Sequence, residues 1–384
     1  MLDSMVDDFG APKASRALTP DTIGKNACHK HLQAIRDTGQ QLPVQVADPA
    51  GIEAFVDALA TNDDYHEPND PQQAFIEAVD RPIVPLQGPP GTGKTSGATA
   101  PALLARAYAR WQADRPFTAL VVAPSHEAVD GVLEAVVECL DAWQAAPDGE
   151  EAFLPELIRV RPTAQADEDT DKDKAGDTVA DGTSAADHTN DTAAGTEKHT
   201  ARQAVTHCGY TTAEGTAHLE GLADQLVSPD KRSEDPSQQL LFVTPATLYR
   251  VLGVIAEATP TIDGDSAPAA MRHTPGLADV VCIDEASMVD LPRLFLATST
   301  LSVTGQTLIV GDHRQLATIA SVDWEQTDRK PLKETHAYRS ALEYLRQFNE
   351  PTASAGGSDN NDDDSSCGLT EDEQSTATGD ADTQ

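Results

Sequence analysis

The stretch that most constrains this chain is LQGPPGTGKT, residues 86–95, because of what flanks it. Before it lies PIVPL, an apolar run of strand length, and after it KTSGATAPALLARAYARWQAD, whose apolar residues recur at helical spacing. A tight glycine- and proline-rich loop that leaves a buried strand and opens a helix is a βα turn, the repeating unit of a parallel sheet. Four more apolar runs rich in β-branched residues, at 118–124, 240–245, 279–287 and 307–312, supply further strands. They are continuous rather than alternating, as strands covered on both faces must be. Segments 125–144, 246–257 and 286–298 carry helical spacing, the first opening on Ser125 as a cap. The expected fold class is α/β, with a doubly wound parallel sheet.

The loop itself, Gly88-Pro89-Pro90-Gly91-Thr92-Gly93-Lys94-Thr95, fits the phosphate-binding pattern GxxxxGK[ST] in its required place between strand and helix. Glycines let backbone N–H groups wrap a phosphate closely, and the helix that follows offers its positive end. Lys94 then reaches the terminal phosphates and the Thr95 hydroxyl ligates magnesium. A chance turn is the bland alternative, and a second site component argues against it. VVCIDEAS puts Asp284 and Glu285 at the carboxyl end of a buried strand, where open α/β sheets bind ligands. Asp284 suits a magnesium ligand, and Glu285 suits the group that orients and deprotonates an attacking water. Two carboxylates after an apolar run demand a cation or hydrogen-bond donors nearby, unless the strand end is open to solvent.

With these residues in place, further segments follow in a fixed order. PNDPQQAF (68–75), VVAPSHEAVDGVL (121–133), LFVTPATL (241–248) and VGDHRQL (310–316) join the loop and the IDEAS segment. Together they resemble the first RecA-like domain of superfamily 1 helicases, of the type that includes the nonsense-mediated-decay helicase and helicase-nuclease fusions. The resemblance spans roughly 67–320 and implies a RecA-like P-loop fold using ATP and Mg2+. It implies that Gln72, offset from Asn69, reads adenine and that Gln315 senses the γ-phosphate. It also implies that Pro124, Ser125 and His126 touch a single-stranded DNA or RNA backbone, with Thr244 as a further phosphate contact. His126 stands where the family usually has asparagine. Ser125 and Thr244 read equally well as a helix cap and a strand end.

The remaining chain divides by composition. Residues 1–66 hold two helices, near 26–37 and 51–60; the RecA-like domain takes 67–161 and 238–350. Between its halves, 162–237 is an acidic insertion, expected to be largely disordered because 162–200 lacks large apolar groups. Residues 351–384 form an acidic tail of the same kind. Nothing after 350 resembles a second RecA-like domain, so the expectation is a truncated or split helicase whose other half comes from a partner chain or is lost. The alternatives are an ATP-dependent nucleic-acid switch that does not unwind, and an unrelated P-loop kinase.

Asp and Glu outnumber Lys and Arg by 63 to 27, a formal net charge of −36. Because the excess appears between the apolar runs throughout the chain as well as in the tails, it points to a proteome adapted to high salt, a haloarchaeal one. Counterion release contributes little at molar salt, so acidity does not exclude nucleic acid as a partner. Arg106, Arg110 and Arg115 read as solvated charges. The five cysteines show no CxxC pair, and Cys28, His29 and His31 lack the spaced second pair that zinc needs. With no basic leader and no run of membrane-spanning length, a cytoplasmic protein without membrane contact is expected.

Overall fold

The computed structural model describes residues 20–63, 65–150, 152–162, 205–211, 213–227, 236–258, 276–314 and 340–349. Seven strands, β1 (Ile83–Gln87), β2 (Phe117–Val122), β3 (Glu156–Arg161), β4 (Val205–Gly209), β5 (Gln238–Val243), β6 (Ala278–Ile283) and β7 (Leu301–Gly311), form one sheet. Their order is β1-β7-β6-β2-β5-β3-β4, and every pairing is parallel. The helices are α1 (Pro20–Lys25), α2 (Ala27–Thr38), α3 (Pro49–Ala60), α4 (Asp70–Glu77), α5 (Ala100–Gln112), α6 (His126–Ala145), α7 (Ala213–Val227), α8 (Pro245–Ala258), α9 (Leu291–Ala297) and α10 (Ala341–Asn349). This is the α/β, RecA-like P-loop fold expected from the sequence.

Alternate strand residues go to opposite faces, which produces two apolar cores. Val84, Val121, Phe242, Cys282 and Val310 meet Phe55, Phe75, Leu104 and Val136 of α3 to α6. Ile83, Val122, Leu241, Ile283 and Ile309 meet Leu32, Leu248 and Leu294 of α2, α8 and α9. Helix starts follow the local sequence: Asn26, Asp48, Ser125 and Asp290 each accept a backbone N–H of the first turn, and Asn69 and Gln72 form a reciprocal capping box.

The structure departs from the sequence reading in three places. The N-terminal helices are not a separate segment, since α2 and α3 cover opposite faces of the sheet. Strands β3 and β4 add to the five expected from the sequence, and β4 with α7 lies within 162–237, so that part of the acidic insertion belongs to the folded domain. Arg106 is fully buried, not solvated, and Arg110 is paired with Asp279 at 3.0 Å. Residues 163–204 and 350–384, including most of the predicted disorder and the acidic tail, lie outside the described residues.

Candidate functional site

Register alone assembles the site. Gln87 pairs with Gly311, Ile283 with Ile309, and Val122 with both Ile283 and Val243, so the carboxyl ends of β1, β7, β6, β2 and β5 are nearly level. Gly88, Asp284, Ala123 and Thr244 therefore leave the sheet along one edge, where a parallel α/β sheet places its ligands.

After β1 the chain curls through residues 88–94 into a π-helical turn, Thr95–Thr99, which leads into α5. Gly91 and Gly93 have φ of 74° and 70°, a left-handed conformation that a Cβ would strain. Gly88 N–H donates to Gly311 O at 3.2 Å, and the Thr92 hydroxyl donates to Pro89 O at 2.8 Å. Lys94 Nζ donates to Gly88 O at 2.6 Å and to Pro89 O at 2.9 Å, which folds the ammonium into the curl of the loop. Below it, Gly97 N–H donates to Gly93 O at 2.7 Å and the Thr99 hydroxyl to Lys94 O at 3.1 Å.

Asp284 follows β6, is buried, and donates its own N–H to Val122 O at 3.0 Å. Burial and the neighbouring Glu285 carboxylate push its carboxyl up to about 6, against the opposing pull of the Glu285 backbone N–H, Lys94 and a hydrogen bond from the Thr95 hydroxyl. A buried carboxylate beside a hydroxyl and an ammonium fits a divalent cation, whose charge would offset the desolvation. Glu285 has φ of 49°, one of two non-glycine residues with positive φ among the described residues. Its Oε2 is buried with no hydrogen-bond partner. Backbone strain and an unsatisfied carboxylate oxygen in one residue mark a position shaped for something other than stability.

Gln72 lies at the amino end of α4, and both its carboxamide oxygen and nitrogen have partners. Oε1 accepts from Asn69 N–H at 2.9 Å, and Nε2 donates to Thr92 O and Gly93 O, both at 3.1 Å. These are the atoms that the adenine-reading role implied by the resemblance would use. At the other end of α4, Arg106 of α5 donates to Ile76 O, Ala78 O, Ala102 O and Gln306 Oε1 at 2.8–3.0 Å. Gln306 in turn donates to Ala78 O and Arg81 O at 2.6 and 2.5 Å. Periodicity gave no sign of this fastening, since an arginine within an alanine-rich helix reads as solvent-facing.

Ser125 is exposed and its hydroxyl accepts from Ala128 N–H at 3.1 Å, which makes it the cap of α6. His126 Nδ1 accepts from Arg159 Nη2 at 3.0 Å, so the ring is neutral with its proton on Nε2. Burial and the Arg159 charge lower its pKa in the same sense, against Asp130. Arg159, fully buried on β3, also contacts Asp130 at 2.6 Å, and Arg161 contacts the same carboxylate at 2.6 Å. The Thr244 hydroxyl pairs with that of Thr247 at 2.9 Å and accepts Thr247 N–H at 3.3 Å, at the start of α8. Pro124 is half-buried beside Ser125. Asp312 is buried and accepts Arg314 N–H at 2.9 Å, while His313 bonds Gln87. Gln315 lies outside the described residues.

Cys28 and His31 are buried in the α2 region. Burial pushes the Cys28 thiol up to about 12, against hydrogen bonds with Thr307 and Thr298. Among the described residues no group of three His, Cys, Asp or Glu side chains is placed to hold a metal, and no helix is long and apolar enough to cross a membrane.

A family model described as an AAA domain matches residues 71–321, a span that takes in the loop, the carboxylate pair and both parts of the sheet. No curated protein matches the chain.

Proposed function

The chain belongs to this AAA domain family, and from that premise we propose that it is a helicase-type ATPase that binds ATP with magnesium and couples its hydrolysis to single-stranded DNA or RNA. The observation that carries the reading is the convergence of Thr95, Lys94, Asp284 and Glu285 at one strand edge, with Asp284 under tension from burial and Glu285 Oε2 unpartnered.

Backbone N–H groups of residues 88–95 cradle the phosphates, and Lys94 exchanges its bonds with Gly88 O and Pro89 O for the terminal phosphate oxygens. Thr95 and Asp284 would hold magnesium, which when bound neutralises charge on the phosphates. Glu285, its oxygen already desolvated, orients the attacking water and accepts its proton. Gln315 completes the set as the group that senses the γ-phosphate. Along the neighbouring strand ends, the exposed Ser125, the Nε2–H of His126 and Pro124 would contact the nucleic-acid backbone, and Thr244, buried and paired with Thr247, would have to release that bond to join them. A helicase-type role fits the family match better than a small-molecule kinase does.

Measuring magnesium-dependent ATP turnover with and without single-stranded DNA and RNA oligonucleotides, in multimolar KCl, tests this reading. Stimulation by either strand supports it; turnover that ignores both but responds to a metabolite overturns it.

A further inference from the structure

Glu285 is left-handed, at φ 49° and ψ 43°, without being glycine. A residue in that conformation stays there only where its surroundings over-determine it. The chain enters the turn at Asp284, whose N–H donates to Val122 O of β2 at 3.0 Å. It leaves through Val289 and Asp290, and the start of α10 holds both: Ala341 N–H donates to Val289 O at 2.6 Å, and Asp290 pairs with Ser340 in an antiparallel bridge. Between the two anchors Met288 N–H donates to Glu285 O at 2.9 Å. The turn is fastened at each end, with Glu285 inside it.

Side chains of α10 close one face of the turn. Ala341, Leu342 and Leu345 lie buried in the same core as Ala286, Val289 and Leu291. Leu342 stands where turn and sheet meet: its Cδ2 is 3.3 Å, and the backbone nitrogens of Ala286 and Ser287 are each 3.2 Å, from the place a Cβ on Gly311 would take. Truncating Leu342 opens space beside the turn, and the strain at Glu285 supplies the tendency to move into it. The helix itself starts at a fixed point, since Glu343 N–H donates to Ser340 Oγ at 3.2 Å. Helix α5, which the phosphate loop leads into, packs in the opposite core, with Leu103, Leu104 and Tyr108. The carboxylate turn and the phosphate loop are thus buttressed from opposite faces of the sheet.

Resting on the reading of Glu285 as the group that activates the attacking water, we propose that α10 holds this residue in its strained arrangement and that Leu342 is the positioning residue through which it does so. Turnover depends on Leu342, and nucleotide binding does not.

The test measures ATP turnover and ATP–magnesium affinity on the full chain in multimolar KCl, with affinity from titration calorimetry, whose stoichiometry also reports the folded fraction. Leu342→Ala should lower kcat roughly 10- to 100-fold, the effect of misplacing a reacting group by about 1 Å, and leave affinity unchanged. Leu342→Met, close in volume, should restore most of the turnover. Added to Glu285→Gln, Leu342→Ala should cause no further loss, because the group it positions is already gone. Ala341→Pro is the independent variant: proline is tolerated at the first position of a helix but lacks the N–H that holds Val289 O, so it too should lower kcat and spare affinity. Equal losses of turnover and affinity, a Leu342→Ala loss that multiplies with that of Glu285→Gln, or unchanged turnover in both Leu342→Ala and Ala341→Pro overturns the inference. A wild type that binds no ATP, or binds it without turnover, overturns the reading of the site and the inference with it.

Discussion

Gly88 N–H donates to the carbonyl of Gly311, which ties the phosphate loop to the last residue of β7. On its other side Gly311 backs onto the turn that carries Glu285: a Cβ there would stand 3.2 Å from the backbone nitrogens of Ala286 and Ser287 and 3.3 Å from Leu342 Cδ2. One glycine thus stands between loop and carboxylate turn, where even a methyl group would crowd the turn. Gly311→Ala should move the turn rather than the loop, whose bond is to a carbonyl the substitution keeps. We expect a loss of about 1 to 3 kcal/mol in denaturant unfolding from overpacking, and a larger fall in ATP turnover than in ATP affinity. Equal effects on both would show that the turn does not respond.

Lys94→Ala removes the only cation folded into the loop curl among the described residues and should abolish nucleotide binding while leaving thermal unfolding nearly unchanged, because its bonds are to half-exposed loop carbonyls. Glu285→Gln should retain ATP and lose about 10²- to 10⁴-fold in turnover, the range for removing a general base. Binding and single-turnover measurements on the two variants separate the roles.

The pH dependence follows from Asp284. Its carboxyl is raised from 3.8 to about 6, so between those values the folded protein holds a proton that the unfolded chain has released. Its contribution to folding stability therefore falls as pH rises through that window. Magnesium–nucleotide affinity runs the other way, because the cation needs the ionised form. Affinity should drop as pH falls below about 6, by about tenfold per unit at the acid end, and Asp284→Asn should lower it throughout and flatten the profile.

Asp130 bridges Arg159 and Arg161, both contacts at 2.6 Å. Burial raises its carboxyl, but the hydrogen bonds and charges of the two arginines outweigh that and leave it below its ordinary value, so its stabilisation is present above that value and lost as pH falls through the folded one. Asp130→Ala removes the carboxylate partner of the fully buried Arg159, leaving its guanidinium to the carbonyls of Val160, Phe242 and His126, and should cost about 3 kcal/mol in chemical denaturation. The variant should also lose part of the wild type's acid sensitivity, which unfolding measured across the acid range would register.

What could be read from the sequence was whatever depends on short-range chemistry. The loop at 88–95 and the carboxylates 284 and 285 combine glycine and charge in fixed order next to apolar runs, and five strands announced themselves by continuous β-branched stretches. β3, with the sequence ELIRVR, did not, because its two arginines look like solvent-facing residues; one is buried with Asp130 as partner, a fact that exists only once α6 packs on the sheet. β4, VTHCG, follows a long acidic stretch and has too little apolar length to stand out. The left-handed backbone of Glu285 and the bonds of Gln72 to Thr92 and Gly93, 20 and 21 residues along the chain, are likewise not written in the local sequence. Residue type located the site; packing decided how each side chain is used.

The grip of Arg106 on α4 has a bearing on ionic conditions. Its four partners, the carbonyls of Ile76, Ala78 and Ala102 and the amide oxygen of Gln306, are all uncharged, and the guanidinium is sealed from solvent. Dissolved ions weaken attraction between exposed opposite charges and scarcely reach a buried cation held by dipoles. In a chain carrying a net charge of −36, whose surface interactions must change greatly between dilute buffer and brine, the junction that holds Gln72 against the phosphate loop keeps the same strength in both.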